Sequence, residues 1–410
     1  MSIGVYEESY SFGRLPISLN TRQYHQNIVG GCLASKPRMR RKCENPSLME
    51  GIMVDYSRGF RLTPMQKNYL GKQLDRVSRS FAILIPYIEP PLRHYLAVAY
   101  LLCRVADNIE DCGQPNTWKQ ERFTEFSDLL QEPQDAPGQL AAWEKHGWPG
   151  LNQEERQIMG VAHGLLLWQI YAMIPDQAQG VIKQWVGVMV AGMNKLSEPD
   201  EQPCFVQRKG IAVLETEQDY NVYCYYVAGT VGALASELVV QQYELSADVS
   251  AILRTRADSC GRSLQKTNIV KDFVEDVSRG VCYLPDTWLS IAAYAPLELR
   301  GADLPWKTRV ISDVLHDLRD ATHYTLALPH HVVGYRRASL LCLFPAYHTM
   351  LSAARRQDTL FTSAHQIKIA RGAIAQCISD SDKVLLDDEA IRRYCAAMED
   401  KIYAALPRSA

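Results

Sequence analysis

From Thr63 onward apolar residues recur every three to four positions, the period of a helix buried along one side, whereas residues 1–62 show no sustained period. Thr63-Pro64 predicts a helix start, with Thr as cap and Pro in the first turn, and the pattern runs to Leu84 before Pro86 and Pro90-Pro91 interrupt it. Pro90-Pro91 opens a helix that ends near Gly113–Pro115, and Trp118–Leu130 predicts another. A loop rich in Pro, Gly and Gln is expected over Gln131–Gly150, then helix over Gln153–Ile174, Ala178–Leu196 and Thr216–Val240. In the last of these, Ala228, Gly229 and Gly232 cost helix stability, which makes sense where another helix or a ligand comes close. Helix over Leu264–Val277, a turn at Ser278–Gly280, and helices over Pro305–Leu328, Arg336–Ala354, Ala364–Ile378 and Glu389–Ala405 complete the chain. Strand alternation is scarce, and no repeat of roughly 20–50 residues shows. The expected fold is all-α, a single large helical bundle with a central cavity over 63–410, preceded by a loosely ordered arm over 1–62.

Two of these helices carry an unusual polar face. Wound at about 100° per residue, Leu264–Asp276 puts Gln265, Asn268, Asp272 and Asp276 on one stripe with Glu275 at its edge. Val270, Phe273, Val274 and Val277 lie opposite, and Lys266 and Lys271 are displaced from the stripe. Tyr100–Asp111 repeats the design, with Tyr100, Arg104, Asp107 and Asp111 on one face, Glu110 beside them, and Val98, Leu102, Val105 and Ile109 behind. Carboxylates four apart on a helix stand about 5–6 Å from each other and repel unless a cation lies between. One D-x-x-E-D taken alone reads as a solvated helix face. Two of them, each backed by an apolar face, favour facing metal sites that hold a diphosphate through Mg²⁺, an ion that prefers carboxylate and phosphate oxygens with some retained water.

Composition adds constraints. The 410 residues are 47% hydrophobic and 22% charged with a net charge of -2, ordinary for a soluble globular protein and without a footprint for nucleic acid. Eleven cysteines lack a C-x-x-C pair or zinc spacing and read as reduced thiols. No apolar run approaches the ~18 residues of a membrane-spanning helix, so no transmembrane anchor is expected in this chain. In the arm, Glu7 and Glu8 argue against a transit peptide, and the basic cluster Lys36–Lys42 is either solvated or a contact for an anionic membrane surface. The expected location is the cytoplasm or the periphery of a membrane.

Ser78-Arg79-Ser80-Phe81, the Tyr100–Asp111 stretch, Tyr223-Cys224-Tyr225-Tyr226-Val227-Ala228-Gly229 and Gln265–Asp276 together resemble the squalene/phytoene synthase family, from about Gln66 to about residue 400. Gln265-Lys266-Thr267-Asn268, Cys342-Leu343-Phe344-Pro345 and Lys368-Ile369-Ala370-Arg371-Gly372 look like the versions of its squalene synthase branch. The resemblance implies a bundle of the isoprenoid synthase type, expected to be a monomer, that joins two prenyl diphosphates, typically farnesyl diphosphate, head to head through a cyclopropyl intermediate. It implies metal binding by Asp107, Glu110 and Asp111 and by Asn268, Asp272 and Asp276, with Mg²⁺ the expected ion and Mn²⁺ an alternative. Gln265 belongs to the second motif and is taken with the substrate-binding residues. Arg79 and Arg104 match phosphate contacts, a guanidinium suiting phosphate by its bidentate fork; an ion pair to the same acids is the structural alternative. Tyr223 matches the tyrosine that assists proton removal as the cyclopropane closes. Phe81 and Tyr100 match aromatic pocket walls, whose ring faces stabilise a carbocation. NADPH would reduce the intermediate, with Lys368 and Arg371 matching the basic pair near its phosphate. No G-x-G-x-x-G follows a strand, so this cofactor rests on the resemblance alone.

Two positions depart from the family pattern. Lys271 and Val281 stand where arginines are usual, which opens a reading as a non-reductive synthase making dehydrosqualene or phytoene, or as a prenyltransferase for another acceptor such as an aromatic molecule. A non-catalytic scaffold would be free to lose its acids, and both motifs are intact.

Overall fold

The computed structural model describes residues 60–77, 81–197, 204–291, 304–356, 367 and 369–406. Arg79, Lys368 and most of the arm lie outside the described residues, while Phe60 and Leu62 are buried, Phe60 against the ring of Tyr95. The first helix, α1 (Pro64–Val77), begins as the sequence predicts: Thr63 Oγ1 accepts from Gln66 N–H and Gln66 Oε1 accepts from Thr63 N–H, a reciprocal cap of two otherwise unpaired donors. After the Pro90-Pro91 step comes α2 (Leu92–Asp111), then α3 (Asn116–Gln131), α4 (Val161–Ala172) and α5 (Asp176–Ser197). Thr216 and Asp219 cap each other to start α6 (Glu217–Cys224), which passes through a π-helical turn, Tyr225–Gly229, into α7 (Thr230–Gln242). Next are α8 (Ala247–Ser278), α9 (Leu304–Ala327), α10 (Val333–Arg355), α11 (Arg371–Val384) and α12 (Asp388–Ala405).

The architecture is the expected all-α bundle, with α8 at its centre packed on α7, α9 and α10. One half of the core takes in Leu253 and Ala257 from α8; the other takes in Ile269, Val270, Phe273 and Val277. The helix therefore runs from one half to the other, and the cavity lies beside it. Close approach of α7 and α8 accounts for the small residues: a Cβ at Gly261 would overlap the main chain of Ala228, and one at Gly232 that of Ala257.

Several boundaries differ from expectation. The stretch read as a loop over Gln131–Gly150 contains a helix, Ala136–Glu144, because Pro137 sits in its first turn, where proline is tolerated, and Leu140 and Trp143 are buried. Gly160 breaks the expected Gln153–Ile174 helix into Gln153–Ile158 and α4. The last helices begin at Arg371 rather than Ala364, which is outside the described residues, and at Asp388. One small sheet joins the bundle: β1 (Phe205–Arg208) pairs antiparallel with β2 (Ile211–Leu214), which pairs parallel with β3 (Val281–Cys282) directly after α8. The cysteines among the described residues are free thiols, as expected. The reading that no apolar run approaches the length of a membrane span needs one correction. The continuous helical run Glu217–Gln242 is long and apolar enough to span a bilayer by composition, with a mean hydropathy of 1.3, although 56% of that window is buried within the bundle.

Candidate active site

An apolar cavity of about 1100 Å³, including its open side, lies between α2, α7, α8 and α10. Leu96, Ala99, Tyr100 and Cys103 line it from α2, and Cys260, Gly261, Leu264, Gln265 and Asn268 line it from α8. Each set is a helix stripe, and continuing each by one turn reaches the acids: Cys103 leads to Asp107 and then Asp111, Asn268 to Asp272 and then Asp276. Each acidic row lies on the C-terminal side of its lining stripe. Glu89, just before α2, accepts a hydrogen bond from Gly334 N–H at the start of α10 (3.0 Å), and Cys260 lies beside Tyr335. The N-terminal ends of the two lining stripes therefore converge on Tyr335, and each stripe runs from there toward its own acids.

Burial rejects the reading of these acids as a solvated face. Asp107 is 0% exposed, Asp272 3% and Asp276 9%, and Glu110 and Asp111 are buried with them. The first row ends in the last turn of α2, and Asp276 in that of α8, where the helix dipole is negative. Burial, then Asp272, push the Asp276 carboxyl up to about 8. Buried carboxylates spaced this way along a helix are a donor set that suits a divalent cation. Among the described residues no three His, Cys, Asp or Glu side chains form a ready-made metal-binding group. Mg²⁺ does not require one, since it is commonly held by one or two carboxylates with substrate phosphates and water completing its shell.

The cations near the acids are not where the helix faces alone suggest. Lys271, expected off the stripe, folds back so that Nζ lies 3.1 Å from Asn268 Oδ1 and 3.2 Å from Asp272 Oδ2. Arg104 is buried, donates to Asp107 Oδ2 at 2.8 Å and lies 4.0 Å from Glu155. Burial alone would lower its pKa, but Asp107, Tyr100, Asp111 and Glu155 together raise it, so the guanidinium stays charged. The ion pair read for Arg104 is present.

Phe81 and Tyr100 both line the cavity and stack at 4.8 Å with 26° between their planes. Gln265 and Asn268 line it too, and Gln265 Nε2 is buried there with no hydrogen-bond partner among the described residues. Tyr223 is fully buried and stacks on Tyr283 at 4.7 Å and 14°, outside the lining residues of the cavity. Arg371 is exposed at the first position of α11; four residues earlier, Ile367 N–H bonds the main-chain carbonyl of Lys271 at 3.4 Å, which ties this segment to α8 beside the second acidic row.

Sequence reasoning missed the groups that hold these rows in place. Lys119 Nζ donates to the Glu110 carbonyl at 2.5 Å and thereby caps α2. On the far side of α8, Lys266 bridges Asp313 and Asp317 of α9 at 3.0 Å each, with its ammonium 5.2 Å from the centre of the Tyr220 ring. The one signal available for this bridge was the four-residue spacing of Asp313 and Asp317, a pattern that an exposed helix shares.

A helical bundle around an apolar cavity with buried carboxylates at one end has the architecture of the isoprenoid synthases. The chain belongs to the squalene/phytoene synthase family, whose profile matches residues 74–373. A squalene synthase of Candida albicans is 31% identical over 237 residues, covering 55% of this chain and 49% of that one. A squalene synthase of Cyberlindnera jadinii is 26% identical over 340 residues, covering 82% of this chain and 71% of the relative. The chain thus spans about half the length of the first relative and more of the second. Among solved structures, a complex of TcSQS with the ligand E5700 superposes with a TM-score of 0.69 at 23% identity, covering 84% of this chain and 93% of that one, a likeness of fold.

Proposed function

We propose that the protein condenses two molecules of farnesyl diphosphate head to head, in a Mg²⁺-dependent reaction through presqualene diphosphate, and then reduces this intermediate to squalene with NADPH. The observation that carries the reading is the pair of buried carboxylate rows in which two stripes of one apolar cavity end. Family membership supports the substrate class, and the unit responsible is 63–410.

Asp107, Glu110 and Asp111 on α2 and Asn268, Asp272 and Asp276 on α8 would hold the metal. Mg²⁺, when bound, neutralises the leaving diphosphate as a Lewis acid. Arg104 fixes the rotamer of Asp107 and keeps positive charge behind the first row, a positioning role. Arg79 is assigned to the diphosphate by family resemblance. The apolar cavity excludes water from the allylic cation, and the stacked faces of Phe81 and Tyr100 stabilise it by about 2 kcal/mol when desolvated. Tyr223, held flat against Tyr283, is assigned to moving the proton lost on ring closure. For NADPH, the exposed guanidinium of Arg371 at a helix N-terminus suits a phosphate, and its tie to α8 through Ile367 keeps it near the second row; Lys368 is assigned beside it by resemblance. NADPH would supply the hydride.

Incubation with farnesyl diphosphate, Mg²⁺ and NADPH is expected to give squalene by mass spectrometry, and omission of NADPH to stop at presqualene diphosphate or a non-reduced product. Unreacted substrate and farnesol alone would overturn the reading. A specific observation favours a second reading: Val281 is buried in β3, paired with Ala212, and offers no cation at a position where the family usually has one. The same non-reduced C30 product with and without NADPH would support a non-reductive synthase, and a prenylated small molecule would support transfer to another acceptor.

Asp276 gives a prediction about stability. Its carboxyl keeps its proton up to about pH 8 in the fold but only to about pH 4 when unfolded. A raised pKa means that its contribution is fully present below the unfolded value and is lost as pH rises through the folded one. Without metal, Asp276→Asn should therefore melt about 2–5 °C above wild type near pH 8, a gap that narrows toward about pH 5. Calorimetry in a chelating buffer measures this, and a lower melting temperature for the variant at both pH values would contradict it.

A further inference from the structure

The end of the cavity away from the acids is built differently from its walls. Tyr335, from the first turn of α10, lines it beside Ile88, Cys260 and Ala338. Behind the ring runs a chain of hydroxyls: Tyr335 to Tyr324 at 3.0 Å, Tyr324 to Ser236 at 2.8 Å, and Ser236 to the main-chain carbonyl of Gly232 at 2.8 Å. A carbonyl only accepts, so Ser236 donates to Gly232, Tyr324 to Ser236 and Tyr335 to Tyr324. The chain has one direction and crosses from α10 through α9 to α7. The start of α10 is also pinned, because Glu89 takes Gly334 N–H on one oxygen and the Tyr243 hydroxyl, at 2.9 Å, on the other. Three helices and the Glu89 turn thus hold one aromatic ring across the cavity, and its neighbours Ala338, Ser339 and Cys342 on the same wall are small.

We propose that Tyr335 is the specificity-determining residue that ends the cavity and limits the length of the prenyl chain it accepts. The proposal rests on the reading that the cavity takes a prenyl diphosphate. From Cys260, beside Tyr335, to Asp272 the axis of α8 spans about 18 Å. At roughly 1.3 Å of advance per carbon–carbon bond, that length holds a chain of about 12 backbone carbons with its diphosphate at the acids. One further isoprene unit adds about 5 Å and meets the ring. The ring cannot swing aside cheaply, because Tyr335 would leave Tyr324 without its donor and the start of α10 is fixed to Glu89. Tyr335→Phe keeps the wall and drops one hydroxyl; Tyr335→Ala removes the wall.

The test titrates wild type, Tyr335→Phe and Tyr335→Ala with the unreactive thiodiphosphates of geranyl, farnesyl and geranylgeranyl chains in the presence of Mg²⁺, reading Kd by calorimetry. Wild type and Tyr335→Phe are expected to prefer farnesyl over geranylgeranyl by about tenfold or more, and Tyr335→Ala to lose or reverse that preference, one decade in Kd being about 1.4 kcal/mol. Tyr335→Leu replaces Tyr335→Ala if the smaller side chain fails to fold, with the same expectation. Equal binding of farnesyl and geranylgeranyl by wild type, or an unchanged preference in both truncated variants, would overturn the wall while leaving the proposed function standing. Failure of wild type to bind any of the three would instead remove the prenyl-diphosphate reading and this inference with it.

Discussion

Asp272→Asn is expected to lower condensation by about 10³-fold or more, since preorganised charge at a leaving group is usually the largest catalytic term. The fold should survive. The amide keeps the shape of the carboxylate, and its oxygen can still accept from Lys271, whose ammonium stands 3.2 Å from Asp272 in the native protein. The measurements are steady-state product formation, far-ultraviolet circular dichroism, and Mg²⁺-dependent thermal stabilisation by farnesyl thiodiphosphate, which the variant should lack. Turnover equal to wild type would dismiss Asp272 as a metal ligand. Asp107→Asn is a poorer probe, because it turns the buried 2.8 Å ion pair with Arg104 into a neutral hydrogen bond and so mixes stability with chemistry, although Asp111 and Glu155 still face the guanidinium.

Tyr223→Phe should reduce the first condensation by about 10²–10⁴-fold, the usual worth of a positioned proton-transfer group. Its effect should fall on kcat and leave the affinity for the first farnesyl diphosphate unchanged. The stack on Tyr283 at 4.7 Å belongs to the ring and persists in the variant, so thermal stability should shift by no more than about 1 kcal/mol. Single-turnover appearance of presqualene diphosphate separates the two effects. A variant that forms it at the wild-type rate would show that the hydroxyl takes no part.

The two acidic rows were legible in the sequence because their information is local: four-residue spacing on one helix fixes which side chains share a face. What those faces meet is not local. Lys271 reads as displaced from its row by angle, yet its flexible stem carries the ammonium back to Asn268 and Asp272. The first half of α8 was missed because its polar residues face protein: Arg256 pairs with Asp320, and Arg262 with Asp317. Such residues blur the apolar stripe by which a helix is recognised. The Ala136–Glu144 helix was hidden by Pro137, read as a breaker although it occupies a first turn. Tyr335 had no signal in any motif, because its position depends on Tyr324, Ser236 and Glu89 meeting from three separate parts of the chain.

The bridge from Lys266 to Asp313 and Asp317 has a consequence for how the protein should respond to ionic strength. With Lys266 2% exposed and Asp317 1%, dissolved ions have little access to it, and screening acts mainly on charges that face water. Concentrated salt should accordingly compete with anionic ligands of the cavity well before it unlocks α8 from α9. Binding would fade while the orientation of the carboxylate row stayed put, and dilution would restore it without refolding.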